Sequence, residues 1–316
     1  MKIISTAPGK LILFGEHASS RGKPSIVFAV NRRMDAILTQ TVSSEKKIIL
    51  SSNEMKVTKA EYPTEKLNLV SKAIEIFLQE TSNPIESFEI DYFSKIPAGF
   101  GSSAAVITTT LGVLDSFYNT KLKKYSLLKM GIKINHSIKG YGSGLDIAAS
   151  IYGGILLYQS GKEPKYLTNG NLNLVIGNTG LKVKSGPIVK TVRTFEKKNP
   201  IEAKRIFDEI EELVIKAELA IRNSDYKKLG IYMNQNQQLL QELGVSSQIL
   251  EKLIAISIEN GAFGAKLSGA GKGDNMIALV SENVRDVVIP AINLSGGSVI
   301  QDIKIDFNGL ITKKYD

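Results

Sequence analysis

The stretch Pro97-Ala98-Gly99-Phe100-Gly101-Ser102-Ser103-Ala104-Ala105 decides how the rest of the chain is read. Its glycines let main-chain N–H groups turn inward and approach a ligand closely, and Ser102 or Ser103 can cap a following helix. A helix N-terminus behind such a loop attracts anions, because its unpaired N–H groups and its dipole both favour negative charge. Val106, Thr110, Val113, Leu114 and Phe117 recur at helical spacing. They predict a helix from Ser102 or Ser103 to about Tyr118, with those five residues on one buried face. The loop lacks the Gly-Lys-Ser/Thr ending of the Walker pattern. Taken alone, it fits a phosphate cradle and an ordinary capped helix after a tight turn equally well.

Three other segments carry groups able to do chemistry. In Ala7-Pro8-Gly9-Lys10-Leu11-Ile12-Leu13-Phe14-Gly15-Glu16-His17, a lysine and a Glu-His pair flank an apolar strand. In Gly140-Tyr141-Gly142-Ser143-Gly144-Leu145-Asp146-Ile147-Ala148-Ala149-Ser150, a carboxylate follows Gly-Ser-Gly at the start of a small-residue helix, where a base could meet a substrate hydroxyl. Asp146 would equally suit a helix N-terminus by offsetting its dipole. Lys266-Leu267-Ser268-Gly269-Ala270-Gly271-Lys272-Gly273-Asp274 is a second glycine-rich loop beside a buried strand, and by itself it is a turn.

Composition narrows the function classes. The 316 residues suffice for two domains, and 43% hydrophobic with 22% charged residues is a globular balance. Lys and Arg number 40 against 31 Asp and Glu, a formal charge of +9. The basic residues are scattered in pairs such as Arg32-Arg33 and Lys197-Lys198, and no aromatic-rich strand offers to stack bases. Small anionic ligands therefore suit the field better than nucleic acid, and solvated lysine faces would account for it too. With no cysteine, a disulfide framework and a thiol nucleophile are excluded; with two histidines, so is a multi-histidine metal centre. No apolar run approaches the roughly 20 residues that span a bilayer, and the N-terminus does not read as a signal peptide. The expected location is the cytoplasm, with no membrane partner.

Along the chain, Ile26–Val30 and Ala36–Thr39 read as strands, Leu67–Gln79 as a helix, and Gly153-Gly154 as a turn before a strand at Ile155–Tyr158. A polar stretch from Gln159 to Asn173 marks the expected domain boundary. Beyond it come a strand at Leu174–Gly177, helices at about 201–222, 226–243 and 246–260, a buried strand at Asn275–Val280, and a final helix and strand. The pattern is α+β.

In this order and at this spacing, the four segments resemble the GHMP kinase superfamily, named for galactokinase, homoserine, mevalonate and phosphomevalonate kinases. The likeness covers almost the whole chain. It implies a two-lobed fold, with an N-terminal lobe over 1–165 like the second domain of ribosomal protein S5 and a ferredoxin-like lobe over 166–316. It also implies ATP and Mg²⁺. Pro97, Gly99, Gly101, Ser102, Ser103 and Ala104 would bind ATP, and Ser103 would approach the metal. Asp146 would be the catalytic carboxylate and Lys10 its electrostatic partner. The acceptor would lie near Lys10, His17, Ser143, Asp146, Ser268, Gly269 and Ala270. Ser143, Lys184, Ser185 and Arg193 are candidates for gripping its phosphate or carboxylate, though a solvated helix face is an equally good account of Lys184 and Arg193. The family's mevalonate kinases usually place a Mg²⁺-binding Glu about eleven residues before the catalytic Asp, where this chain has Asn135.

Two acceptors compete. Gly15-Glu16-His17, Asn178-Thr179-Gly180 and Met233–Ser247 resemble mevalonate kinases. The loop at 97–105 is two residues shorter than is usual there, and the short form, with Gly142–Ala149 and Ser268–Asp274, resembles phosphomevalonate kinases. The expected reaction is ATP-dependent phosphorylation of 5-phosphomevalonate to 5-diphosphomevalonate, with mevalonate as the alternative acceptor, in a monomer or homodimer. A basic RNA- or ligand-binding protein without catalysis is a third reading, opposed by the joint presence of Lys10, Ser103 and Asp146.

Overall fold

The computed structural model describes residues 1–42, 45–168 and 170–315. In chain order the elements are β1 (Lys2–Phe14), β2 (Ser25–Gln40), β3 (Ile48–Ser52), β4 (Val57–Glu61), α1 (Asn68–Thr81), β5 (Phe88–Ser94), α2 (Ser102–Tyr118), α3 (Lys124–Lys139) and α4 (Leu145–Tyr152). There follow β6 (Ile155–Tyr158), β7 (Lys165–Thr168), β8 (Leu174–Asn178), α5 (Ser185–Lys198), α6 (Pro200–Arg222), α7 (Tyr226–Glu242), α8 (Gln248–Glu259), β9 (Gly264–Ser268), β10 (Asn275–Leu279), α9 (Glu282–Leu294), β11 (Ser298–Val299) and β12 (Ile311–Tyr315).

These elements pack as two units, each discontinuous in sequence. The first comprises Met1–Lys10, Ala29–Gly154 and Asp306–Asp316; the second comprises Leu11–Phe28 and Ile155–Ile305. Packing therefore changes unit four times rather than once near 165, and the polar stretch 159–173 falls inside the second unit.

In the first unit the strand order is β12-β1-β2-β5-β3-β4. β3 runs parallel to β5, while β12 on β1, β2 on β5 and β3 on β4 are antiparallel. The two strands predicted at 26–30 and 36–39 are one strand, β2. The polar run between them holds no Gly or Pro to break it, and Arg33 finds internal partners: its guanidinium donates to Thr6 Oγ1, Thr6 O and Gly309 O and pairs with Asp306.

Helix α2 packs against α1, α3, α4 and β12. It is thus buried nearly all round from Ala104 to Leu114, not on one face. Val106 and Phe117, expected inside, are half-buried. Gly112 permits this close packing, since a Cβ there would lie 2.3 Å from Ser5 Oγ. A helix covered on several sides carries no single apolar stripe, which is why periodicity misjudged its faces.

In the second unit, the start of β2 pairs with β6 from Ser25 opposite Tyr158 to Phe28 opposite Ile155. A separate antiparallel sheet has the order β11-β8-β10-β9. The predicted helices at 201–222, 226–243 and 246–260 are α6, α7 and α8. Gly261 ends α8 at φ 96°, as its position just past the helix suggests. α5 buries only Ile188 and Val192, too few apolar positions to announce it in the sequence.

Candidate active site

In the first unit, α2 begins at the glycine-serine loop. Phe100 is fully buried and anchors it, while Ala98 and Gly99 are exposed. Gly101 is the capping residue at φ 78°, ψ 35°, and its carbonyl accepts from Ala104 N at 3.0 Å. Glycine is required twice over here. The conformation is left-handed, and a Cβ would lie 2.9 Å from Lys10 Cε and 3.2 Å from Lys10 Cγ. Lys10 lies within β1, not at its end, and its N–H donates to Phe100 O at 2.8 Å. Its stem crosses Gly101, and its ammonium stands 3.2 Å from Asp146 Oδ1.

Asp146 is the second residue of α4, behind Gly144 at φ 87°. Lys10 is 7% exposed at its side chain and Asp146 44%. The carboxylate therefore meets solvent while its cation is buried, an arrangement in which Asp146 can take a proton from an incoming hydroxyl and Lys10 can offset the charge that develops. Ser102 and Ser103 are half-buried in the first turn of α2, and Ala104 is buried. Ser143, also buried, accepts from Leu145 N through its hydroxyl at 3.4 Å. Lys10 thus lies against both Gly101 and Asp146 within one unit.

The remaining candidates belong to the second unit. His17 has φ 61° and ψ −39°, a positive-φ backbone outside the left-handed helical well. Its carbonyl accepts from Ser20 Oγ at 2.8 Å and Arg21 Nη1 at 2.9 Å, and Arg21 pairs with Glu196 of α5 at 2.7 Å. His17 Nε2 is 3.0 Å from Ala270 O. A carbonyl only accepts, so Nε2 carries the proton. Burial, with Arg21 and Lys266 nearby, lowers the imidazole to about 4 from 6.5, against the raising influence of Ala270 O.

Ser268 Oγ donates to Ile12 O and accepts from Ile12 N, both at 2.9 Å. Its hydroxyl staples β9 to the end of β1. Lys184 and Ser185 are exposed at the start of α5. Arg193, on the same helix, lines an open concavity of about 500 Å³ with Lys190, Thr194, Glu196 and Lys197.

Sequence reasoning missed the partner of Glu16. Lys266, in the middle of β9, is wholly buried, and its ammonium pairs with Glu16 and donates to Leu267 O at 2.7 Å. Burial pushes the lysine down from its usual range and Glu16 opposes that shift. The signal was a lysine inside an apolar strand, Ala265-Lys266-Leu267. Asn135 donates its side-chain amide to Tyr141 O at 3.1 Å.

Comparison with known proteins gives the family. Residues 68–154 match the model of the GHMP kinases N terminal domain, and residues 216–296 that of the GHMP kinases C terminal. The mevalonate kinase of Pyrococcus furiosus is 34% identical, over 94% of this chain and 95% of that one. The crystal structure of the Methanococcus jannaschii mevalonate kinase superposes with a TM-score of 0.79 at 28% identity, over 96% of this chain and 98% of that one. A Streptococcus pneumoniae phosphomevalonate kinase in complex with phosphomevalonate and AMPPNP gives a TM-score of 0.82 at 19% identity, covering 96% and 99%, a likeness of fold alone. The chain belongs to the GHMP kinases, with their mixed α+β two-domain fold, and is an enzyme of that superfamily whose substrate is a small molecule.

The preference for phosphomevalonate read from the short loop is not what these relatives support; they favour the alternative, mevalonate. The loop joins β5 to the N-terminus of α2 and bears on Lys10 through its main chain. Its length bears on how α2 begins, and no contact of the loop with an acceptor is needed to account for it. Among the described residues, no helix is long and apolar enough to cross a membrane.

Proposed function

We propose that this chain is a mevalonate kinase, transferring the γ-phosphoryl group of ATP to mevalonate to give 5-phosphomevalonate, in the cytoplasm. The observation that carries the choice of acceptor is identity to a mevalonate kinase sustained over nearly all of both chains. The Lys10–Asp146 pair supports the chemistry but would serve any alcohol. In this reading the first turn of α2, from Gly101 to Ala104, receives the nucleotide's phosphates on main-chain N–H groups. Asp146 accepts the acceptor's hydroxyl proton as its oxygen attacks the γ-phosphorus, ADP leaves with the bridging oxygen, and the proton passes from Asp146 to solvent. Lys10, held over Gly101, favours the oxyanion in flight. Positioning and charge neutralisation supply most of the catalysis in such transfers.

The residues present fit Mg²⁺ as well as ATP. Among the described residues, no group of three or more His, Cys, Asp or Glu could hold a metal. Mg²⁺ characteristically keeps several waters and takes few protein oxygens besides phosphate. The half-buried Ser103 hydroxyl offers one such oxygen. When bound, the ion would neutralise phosphate charge. His17, with its neutral imidazole, and the Ser268–Ala270 turn are proposed to face the acceptor. Lys184, Ser185 and Arg193 remain proposed anion contacts for its carboxylate.

Turnover of ATP by the purified chain, measured separately with mevalonate and with 5-phosphomevalonate, tests the assignment. Phosphorylation of mevalonate is expected. Turnover with 5-phosphomevalonate and none with mevalonate would overturn it.

A further inference from the structure

Asp146 acts only if the segment in front of it is fixed, and that segment is built to be loose. Gly140, Gly142 and Gly144 alternate through the five residues between α3 and α4, at φ 71°, 133° and 87°. Glycines in such conformations carry the largest conformational freedom in the unfolded and locally opened chain. Helix α4, only eight residues long, starts immediately after them and adds little rigidity of its own.

Two adjacent side chains from the last turns of α3 take hold of this loop. Asn135 Nδ2 donates to Tyr141 O at 3.1 Å. His136 Nε2 lies 2.6 Å from Gly142 O, so that nitrogen is the donor. The loop runs hard against the first grip: a Cβ on Gly142 would be 2.6 Å from Asn135 Nδ2. His136 is exposed, so its placement gains little from burial and is set by this bond. Below the two grips, Gly140 N donates to His136 O at 2.8 Å and closes the helix. Beyond them, Ala148 N donates to Gly144 O at 2.9 Å and opens the next one. Between these two helix ends the chain is held by side chains.

We propose that Asn135 and His136 are positioning residues, a clamp that fixes the Gly140–Gly144 loop and thereby sets Asp146 at its distance from Lys10. The clamp rests on the kinase reading above for its catalytic consequence, but its structural content does not depend on the acceptor. It also gives residue 135 an employment other than metal ligation: its amide nitrogen is turned to the loop. A misplacement of the base by about 1 Å is enough to cost on the order of 100-fold in rate, so a partial loosening should show in kcat before it shows in stability.

The test uses the full chain and four variants, His136→Ala, His136→Gln, Asn135→Ala and Asn135→Asp. Amide hydrogen exchange is followed over residues 140–146, with thermal melting and steady-state kinetics alongside. His136→Ala, Asn135→Ala and Asn135→Asp should each raise exchange in that segment by about 10-fold or more while leaving the rest of α3 unchanged. They should lower kcat about 5- to 50-fold with the KM for ATP within about twofold. His136→Gln, which restores an N–H donor, should recover most of both losses. Unchanged exchange in the alanine variants would overturn the clamp, and so would a kcat loss matched by a general fall in melting temperature. A gain in activity or a lowered Mg²⁺ requirement in Asn135→Asp would overturn the assignment of Asn135, making 135 a metal-facing position. Should the wild-type chain fail to use mevalonate, the exchange measurements still decide the clamp, and only the choice of acceptor falls.

Discussion

At the scale of single residues, the pair at the centre of the site is asymmetric: a buried lysine offers its charge to a carboxylate that solvent can reach. Asp146→Asn keeps the shape of α4 and removes the carboxylate proposed to accept the proton. It should lower kcat by about 100- to 10,000-fold and leave nucleotide affinity nearly unchanged, as direct binding of ATP alongside turnover would reveal. His17 makes a second prediction, concerning stability. It titrates at about 4 in the fold against 6.5 outside it, because burial penalises its charged form. Between those values the unfolded chain binds a proton that the folded chain refuses. Stability from this group is therefore complete above about pH 6.5 and is lost as pH falls towards 4, by up to about 3 kcal/mol. His17→Gln can still donate to Ala270 O but does not titrate. Urea unfolding at about pH 7 and about pH 4.5 should show a smaller loss on acidification in the variant than in the wild type. Equal losses would remove His17 as the cause.

At the scale of elements, β9 deserves comparison with an ordinary edge strand. It ends its sheet and so exposes main-chain donors on one side. Helix α7 covers that side with amides: Asn234 Oδ1 accepts from Ala265 N at 2.9 Å and Gln237 Oε1 from Leu267 N at 3.0 Å. Gly230, one helical turn earlier, allows the approach, for a Cβ there would lie 2.2 Å from Phe263 O. Gln237 Nε2 in turn donates to Ser246 Oγ at 3.1 Å and Glu251 Oε1 at 2.7 Å. The strand so protected carries Lys266 and Ser268. Gln237→Ala strips the partner from the buried Leu267 N–H and from two half-buried groups, Ser246 Oγ and Glu251 Oε1, and should cost about 2–4 kcal/mol in urea unfolding. A cost below about 1 kcal/mol would show that water replaces the amide without penalty.

At the scale of the whole molecule, the units interleave in sequence. The first needs β12 from the C-terminus to pair with Lys2–Thr6, and Asp306 and Gly309 to receive Arg33. The second needs Glu16 from the N-terminal segment for the buried Lys266. A fragment of residues 1–165 would keep β1, α2 and Asp146 yet lose those C-terminal partners, and would carry Glu16 without its lysine. We expect it to show no cooperative thermal unfolding by circular dichroism, whereas the full chain should. A cooperative transition in the fragment would mean that the first unit closes without its C-terminal strand. The same interleaving explains why a compositional shift near Gln159 was a poor guide to packing. Composition reports on how polar a stretch is, not on which distant strand it joins.

The sequence by itself determined the family, and it singled out Lys10, Ser102, Ser103 and Asp146 as candidates. Those residues sit in local motifs, where glycine spacing, a helix start and a short apolar strand are written in neighbouring positions. It also located the long helices α6, α7 and α8, whose single apolar faces repeat at helical spacing. Only the tertiary structure decided that α2 is buried on nearly every side, that β2 is one strand, that Lys266 is the buried partner of Glu16, and that Asn135 and His136 grip the loop before Asp146. Each of these depends on what a residue meets across a turn or hundreds of positions away, and a side chain's partner in folded space leaves no period or spacing in the chain to read. The loop from Pro97 to Ala105 shows both sides of that division. Its glycines announced a helix start, while the reason Gly101 must be glycine, the stem of Lys10 lying across it, is visible only in the fold.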